Sequence, residues 1–487
     1  MTPQQTLNDI PVSTGTSLEA ENSVPLSALD VLKDKIYIHR LPSYANKIFY
    51  GLGFMALTSF MALVISGIVM VFVGPTWWLT SHVGVYFRSV HDWAVQAFIA
   101  VLLLHMTVVF LTSGFKPPKR IVWVLGASIF CLALITTEFG YGLRGDFQSQ
   151  WRAVSGADFW NGAYVGHWFN PESFTQVFGV HVLIMPALIF GLFLCHYLLV
   201  KAYGIAKPYR DDIKYKMVAA DHKIMFIRGG ALFAAILLLA FIFPSPFITP
   251  FKIANVAKSD PNLAALTLVQ ELDNTSGTAT YLDSIDPYTY STRDAYVSTP
   301  YRAYISSTGG TDLLSVFSEL PPDIQQSNID DAKKYYGDNN SITPDELATN
   351  QLIPIIGQLV AMQKSGLYQG VIDQEDSSSN PTRSLRFLSD TGVLDAEANK
   401  VHMATAEWGM AKEETGEGLT RVPPGSWWFA PIGMLNSTVL ANDNNGDRDA
   451  AISLGLFMFI FILFPYIPYL NRIPEKLRLA PFIWGKP

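Results

Sequence analysis

RSVHDWAVQAFIAVLLLH (88–105) and HVLIMPALIFGLFLCH (181–196) decide how this chain is built. His91 and His105 stand fourteen residues apart in one apolar run, and His181 and His196 fifteen apart in the other. On an α-helix those separations advance about 21 and 22 Å along the axis, with rotations of roughly −40° and +60°. Each helix therefore carries two imidazoles on broadly one face, one toward each side of a bilayer. Two such helices facing each other make two bis-imidazole sites stacked across the membrane. Two haems need that arrangement if an electron is to cross an insulator. Four unrelated histidines are the alternative, but ionisable groups inside apolar spans are rare and usually functional, and the two spacings match.

Around these two runs the 487-residue chain is 49% apolar and 15% charged. Six segments are long and apolar enough to span a bilayer, at about 46–73, 87–113, 121–142, 177–200, 224–247 and 450–470. Lys33, Lys35 and Arg40 precede the first, and Lys116, Lys119 and Arg120 join the second to the third. Lys201, Lys207, Arg210, Lys214, Lys216 and Lys223 join the fourth to the fifth, and Arg472, Lys476, Arg478 and Lys486 follow the sixth. If all six segments span, the four clusters share one side, and the positive-inside rule makes it the cytoplasm, with both termini there. Residues 248–449 hold 27 acidic against 13 basic residues, a net of −14, which leaves the remainder at 21 basic against 14 acidic, +7. This polar insert is expected outside, as either a structural cap or a docking surface for an external partner. It has no cysteine and one histidine, His402, so it carries no bis-histidine or c-type haem of its own. Cys131 and Cys195 form no Cys-x-x-Cys-His motif and read as buried thiols. The start, MTPQQTLNDIPVS, lacks a signal-peptide pattern, and residues 1–29 read as disordered.

A haem wedged between helices needs neighbours without side chains where the ring passes. Gly53 and Gly67 in the first segment are fourteen apart, as are Gly126 and Gly140 in the third. Both pairs repeat the His91–His105 spacing and read as haem clearance, with ordinary small-residue helix packing as the alternative. Topology then groups His91 with His181 at an outer haem and His105 with His196 at an inner one. Arg88, three residues before His91, can reach an outer propionate or simply snorkel.

The chain resembles the cytochrome b family of bc and b–f quinol oxidoreductases, closest to the chloroplast and cyanobacterial branch. The resemblance runs from about residue 40 to 247 and resumes from about 424. IFYGLGF (48–54), RSVHDW (88–93), LTSGFKPPKR (111–120), FGYGLRGDFQSQW (139–151) and FTQVFGVH (174–181) carry it, with the four histidines and four glycines. It implies an all-α membrane protein: a four-helix di-haem bundle, two further transmembrane helices and an extracytoplasmic insert domain. The expected division is a cytoplasmic tail 1–40, the bundle 41–210, a loop and fifth span 211–247, the insert 248–449 and a sixth span and tail 450–487. The resemblance also implies two non-covalent haem b groups, quinone and quinol, and the cytoplasmic membrane of a prokaryote. The chain would be a subunit of a quinol:cytochrome c-type oxidoreductase, beside a Rieske iron–sulfur protein or c-type cytochrome. Lipid is expected around it, nucleic acid is not, and dimerisation is left open.

There are departures. Gly51 stands where the chloroplast branch has the cysteine anchoring an extra c-type haem, Arg144-Gly145 replace Pro-Trp, and Gln176 replaces an arginine. PPGSWWFAP (423–431) resembles the Pro-Glu-Trp-Tyr quinol segment but has no carboxylate, leaving Trp427 and Trp428 as its aromatic contacts. Quinol oxidation releases protons, so an acceptor is needed. Glu138 is expected to serve, with Asp146 as a second candidate closer to water; in the alternative, Glu138 pairs with Arg144 or Arg152 and holds the loop. Two other functions stay open: a non-bifurcating haem b anchor exchanging electrons between the quinone pool and an external oxidoreductase, and a scaffold with vestigial haems.

Overall fold

The computed structural model describes residues 40–162, 164–166, 168–205, 216–282, 290–337, 341–375, 382–401, 403, 423–443 and 446–477. The tail before Arg40, the loop residues Lys207, Arg210 and Lys214, His402, and the terminal Arg478 and Lys486 lie outside them. Among the described residues almost every regular element is a helix. The exception is a two-stranded antiparallel ribbon in which β1 (Arg40–Pro42) pairs with β2 (Met217–Ala219).

In chain order come α1 (Leu52–Val73), α2 (His82–Leu111), α3 (Arg120–Gly142), α4 (Phe147–Gly162), α5 (Phe174–Tyr203), α6 (His222–Ile242) and, after the insert, α7 (Gly446–Leu463). Among the described residues six helical runs are long and apolar enough to cross a membrane: α1, α2, α3, α5, α6 and Arg448–Tyr466. The ends differ from the sequence reading for local reasons. Ser43–Asn46 and Ile48–Tyr50 form two tight 3-10 turns, so α1 starts at Leu52. α6 stops at Ile242 because Pro244 and Pro246 lack the N–H a further turn needs. Ser81 and Asp221 cap α2 and α6, accepting from Gly84 N and Ile224 N. Gly74 at φ +92° and Gly204 at φ +73° end α1 and α5 in backbone that side-chain-bearing residues rarely adopt.

The four spans α1, α2, α3 and α5 share a core of Leu52, Phe60, Phe98, Ile99, Ile129 and Ile189, which Trp428 and Phe429 complete from the far end of the insert. The insert is a helical layer with its own core, including Leu268, Tyr296, Tyr301, Ile356, Leu359 and Phe387, and α4 contributes Phe147 and Ala153 to it. Reciprocal bonds between Gln150 and the Phe251 backbone tie α4 to the start of the insert. A buried ion pair, Arg386–Glu172 at 2.9 Å, ties the insert to the segment before α5. The insert therefore sits on the His91 and His181 end of the bundle. At Gly51, the position of the missing haem-anchoring cysteine, an added Cβ would lie 3.4 Å from the Arg228 guanidinium, so α6 fills that space.

Inside the insert, Glu271 and Asp390 form a carboxyl pair. Glu271 Oε2 accepts from Ser276 Oγ at 2.7 Å, and Asp390 Oδ1 accepts from Thr278 N at 2.8 Å. Glu271 Oε1 and Asp390 Oδ2 are both buried with no donor among the described residues, an arrangement that is comfortable only if one proton is shared. Burial first, then the Asp390 carboxyl, pushes the Glu271 pKa up to about 10, with Tyr296 and Tyr368 facing the same site. In the unfolded chain the same group titrates near 4.5. Folding therefore holds a proton that the unfolded chain gives up. The stability this contributes is full below pH 4.5 and is lost as pH rises toward 10. Hydrogen exchange of the purified protein should show the insert opening more readily across that window. Glu271→Gln should flatten the trend, and an unchanged slope in that variant would remove the pair as its cause.

Candidate haem and quinol site

The two histidines nearest the insert face each other. His91 on α2 and His181 on α5 have ring centres 6.3 Å apart at an interplanar angle of 62°. A metal ion about 2 Å from each of two imidazole nitrogens, themselves about 1 Å from their ring centres, needs a separation of about 6 Å. Toward the other end, His105 on α2 and His196 on α5 lie close enough to interact electrostatically.

Hydrogen bonds fix the rings. His181 Nδ1 donates to Thr136 O and His196 Nδ1 to Val122 O, each at 3.0 Å. His91 Nδ1 lies 2.9 Å from Ser66 Oγ, whose own proton goes to Ala62 O at 2.7 Å. Ser66 therefore accepts, and His91 carries its proton on Nδ1. With Nδ1–H committed in three of the four rings, the Nε2 lone pair is left for a metal, as is usual for ligating histidines. Among the described residues no cluster of three or more His, Cys, Asp or Glu could complete a protein-only coordination sphere. A pair of imidazoles suits an iron whose other ligands come from a macrocycle.

The four glycines stand against these rings one by one. A Cβ on Gly67 would lie 3.4 Å from His91 Cε1, on Gly140 2.8 Å from His181, on Gly126 3.2 Å from His196 and on Gly53 3.7 Å from His105. Each of these four glycines on α1 and α3 thus clears room at one histidine of the facing helix. The unequal spacings are also reconciled. Residues Val180–Ile184 form a π-turn that contains His181. A π-turn absorbs one extra residue, so the fifteen-residue step in α5 presents its rings in nearly the register of the fourteen-residue step in α2.

Between His91, His181, Gly67 and Gly140 lies a cavity of about 120 Å³, bounded also by Tyr141, Pro423 and Pro424. The family profile described as cytochrome b (N-terminal)/b6/petB matches residues 96–254. Cytochrome b6 of Heliobacterium modesticaldum is 30% identical over 192 residues, covering 35% of this chain and 90% of the relative. The chain belongs to the cytochrome b family. Cytochrome b6 of Parasynechococcus marenigrum is 32% identical over 206 residues, covering 36% of this chain and 91% of the relative. This cytochrome b is thus a membrane electron-transport protein of the quinol oxidoreductase complexes, and the profile match ends at the threshold of its insert.

PPGSWWFAP docks against the bundle end of this cytochrome b. Gln96 Nε2 donates to Pro424 O and Gly425 O at 2.7 and 3.1 Å, and Trp427 Nε1 donates back to Gln96 Oε1 at 2.9 Å. Trp428 Nε1 donates to Thr137 Oγ1 at 3.0 Å. Arg88 lines the cavity but donates to Ser245 O and Pro246 O at 2.9 and 3.3 Å, so in this structure it fastens the chain after α6. Glu138 is ion-paired to Arg152 at 3.1 Å and is one-quarter exposed, the pairing alternative weighed from the sequence. Asp146, expected closer to water, is instead wholly buried: it pairs with Arg144 at 3.2 Å and accepts from Ser149 N in the first turn of α4. The ion pair with Arg144, itself buried and donating to Pro246 O at 2.7 Å, holds the carboxylate under the chain that leads into the insert.

Sequence reasoning missed Ser66, Asp92 and Gln96. Arg88, Asp92 and Gln96 follow one another at i, i+4 and i+8 and all three line the cavity. That stripe of polar groups in an apolar span was the available signal.

Proposed function

We propose that this chain is the di-haem cytochrome b subunit of a membrane complex that oxidises quinol on the insert side, His91 and His181 holding one haem and His105 and His196 the other. The observation that carries this reading is the set of four glycine–imidazole approaches, one per histidine. Haem b at each pair supplies reversible one-electron storage. The protein's part is to hold three of the four imidazoles by Nδ1, through Ser66, Thr136 O and Val122 O, and to keep the spans dry around them. Oxidation of quinol to quinone releases two electrons and two protons. The side of the cavity bounded by His91, His181, Gly67 and Gly140 would be the haem's, and the quinol ring lies at the other side, against Tyr141, Pro424 and Gln96, with Trp427 and Trp428 anchoring the wall behind it. Glu138 takes one proton by exchanging its pairing with Arg152, and the other is released to the insert side. The second electron goes to an external acceptor of the iron–sulfur or c-type haem class.

The basic clusters support a cytoplasmic location for both termini and an external one for 248–449. A one-way anchor for an external oxidoreductase is the second reading, favoured by the lack of a carboxylate in PPGSWWFAP. The test is the purified complex with its subunits identified. Quinol should reduce both haems of the complex in vesicles, and protease added to spheroplasts should cut the insert. Haems that take electrons only from an external reductase would favour the anchor, and a protected insert would reverse the orientation.

A further inference from the structure

Arg152 stands on α4 with 5% of its surface exposed, and three groups from two elements, α3 and PPGSWWFAP, converge on it. Nη1 donates to Glu138 Oε2 on α3 at 3.1 Å, Nη2 donates to the wholly buried Ser426 Oγ at 2.8 Å, and the guanidinium carbon sits 3.9 Å over the Tyr141 ring. Ser426 is the middle of PPGSWWFAP, and Tyr141 and Pro424 are walls of the cavity. On its other flank the same segment is gripped by Gln96 of α2. The segment is thus clamped from two sides, by a neutral amide on α2 and by a cation on α4.

We propose that Arg152 is the positioning residue of the quinol site, clamping PPGSWWFAP and the Tyr141 ring in the shape that receives the quinol. This rests on the proposed function, in which the cavity takes quinol. Only a planar fork can make two divergent bonds and lie flat on a ring at once, so lysine cannot replace it fully. Glu138 supplies the counter-charge that makes a buried guanidinium tolerable. Arg152 acts on the site through Ser426 and Tyr141, and its removal should loosen substrate binding more than turnover.

The experiment measures steady-state quinol oxidation and haem reduction in the purified complex for Arg152→Ala, Arg152→Lys, Ser426→Ala and Glu138→Gln. Arg152→Ala should raise KM for quinol about ten-fold or more, with kcat changed much less, as the loss of a charged hydrogen bond predicts. Arg152→Lys should recover part of that loss. Ser426→Ala cuts one bond, leaves the ion pair, and should raise KM several-fold with both haems retained, so it answers even if Arg152→Ala does not fold. Glu138→Gln should shift the pH profile if Glu138 takes the proton, whereas Ser426→Ala should leave the profile in place. Unchanged KM in Ser426→Ala, or in Arg152→Ala with both haems present, overturns the assignment. If the wild-type complex is not reduced by quinol at all, the functional reading fails instead.

Discussion

His91→Ala should leave a protein with one haem, the one held by His105 and His196, and His105→Ala should leave the other. The effect is expected to be near complete because each site has two protein ligands and loses one. Three of the four rings are pre-oriented by an Nδ1 hydrogen bond, and among the described residues no cluster of three or more His, Cys, Asp or Glu offers a substitute ligand. Haem content, redox titration and extraction with acidified acetone read the result. Wild type should give two haems, both extractable, since the chain has no Cys-x-x-Cys-His and Gly51 is packed against Arg228. Equal loss of both haems in every folded variant, or one haem in wild type, would sink the pairing. A covalent haem would show that the reading of Gly51 is wrong.

Gly140→Ala should remove the haem at His91 and His181, whereas Gly53→Ala should be close to wild type. The two substitutions add the same methyl group, and distance alone separates them. At Gly140 the new carbon would stand 2.8 Å from His181 Cε1, well inside contact, and the ring cannot retreat without giving up its bond to Thr136 O. At Gly53 the carbon would stand 3.7 Å from His105, an ordinary contact. Gly126 at 3.2 Å and Gly67 at 3.4 Å should fall between, in that order. The readout is the occupancy and redox midpoint of each haem across the four alanine variants. A ranking unrelated to these distances would mean that the glycines serve helix packing rather than the rings.

Much of the bundle was legible in the sequence because it rests on local regularities. Apolar runs of about twenty residues give the spans, and the fourteen-residue steps of His91–His105, Gly53–Gly67 and Gly126–Gly140 give their faces. PPGSWWFAP was recognisable as a quinol-site remnant by resemblance. Where it docks was not, because its partner Gln96 lies 331 residues before Trp427. Asp146 was misplaced for a similar reason: an aspartate after a glycine reads as loop, and only its pairing with the buried Arg144, which also grips Pro246 O about a hundred residues on, holds it inside.

The sequence by itself determined which residues share a helix face, since 3.6 residues per turn is a property of the backbone alone. It therefore determined the paired histidines, the paired glycines and the count of spans. The tertiary structure alone decided which ring meets which glycine, that a π-turn at Val180–Ile184 brings the fifteen-residue step into register, and that Glu138 belongs to Arg152. Those depend on how helices distant in sequence approach one another, and close packing, not helical repeat, sets that approach.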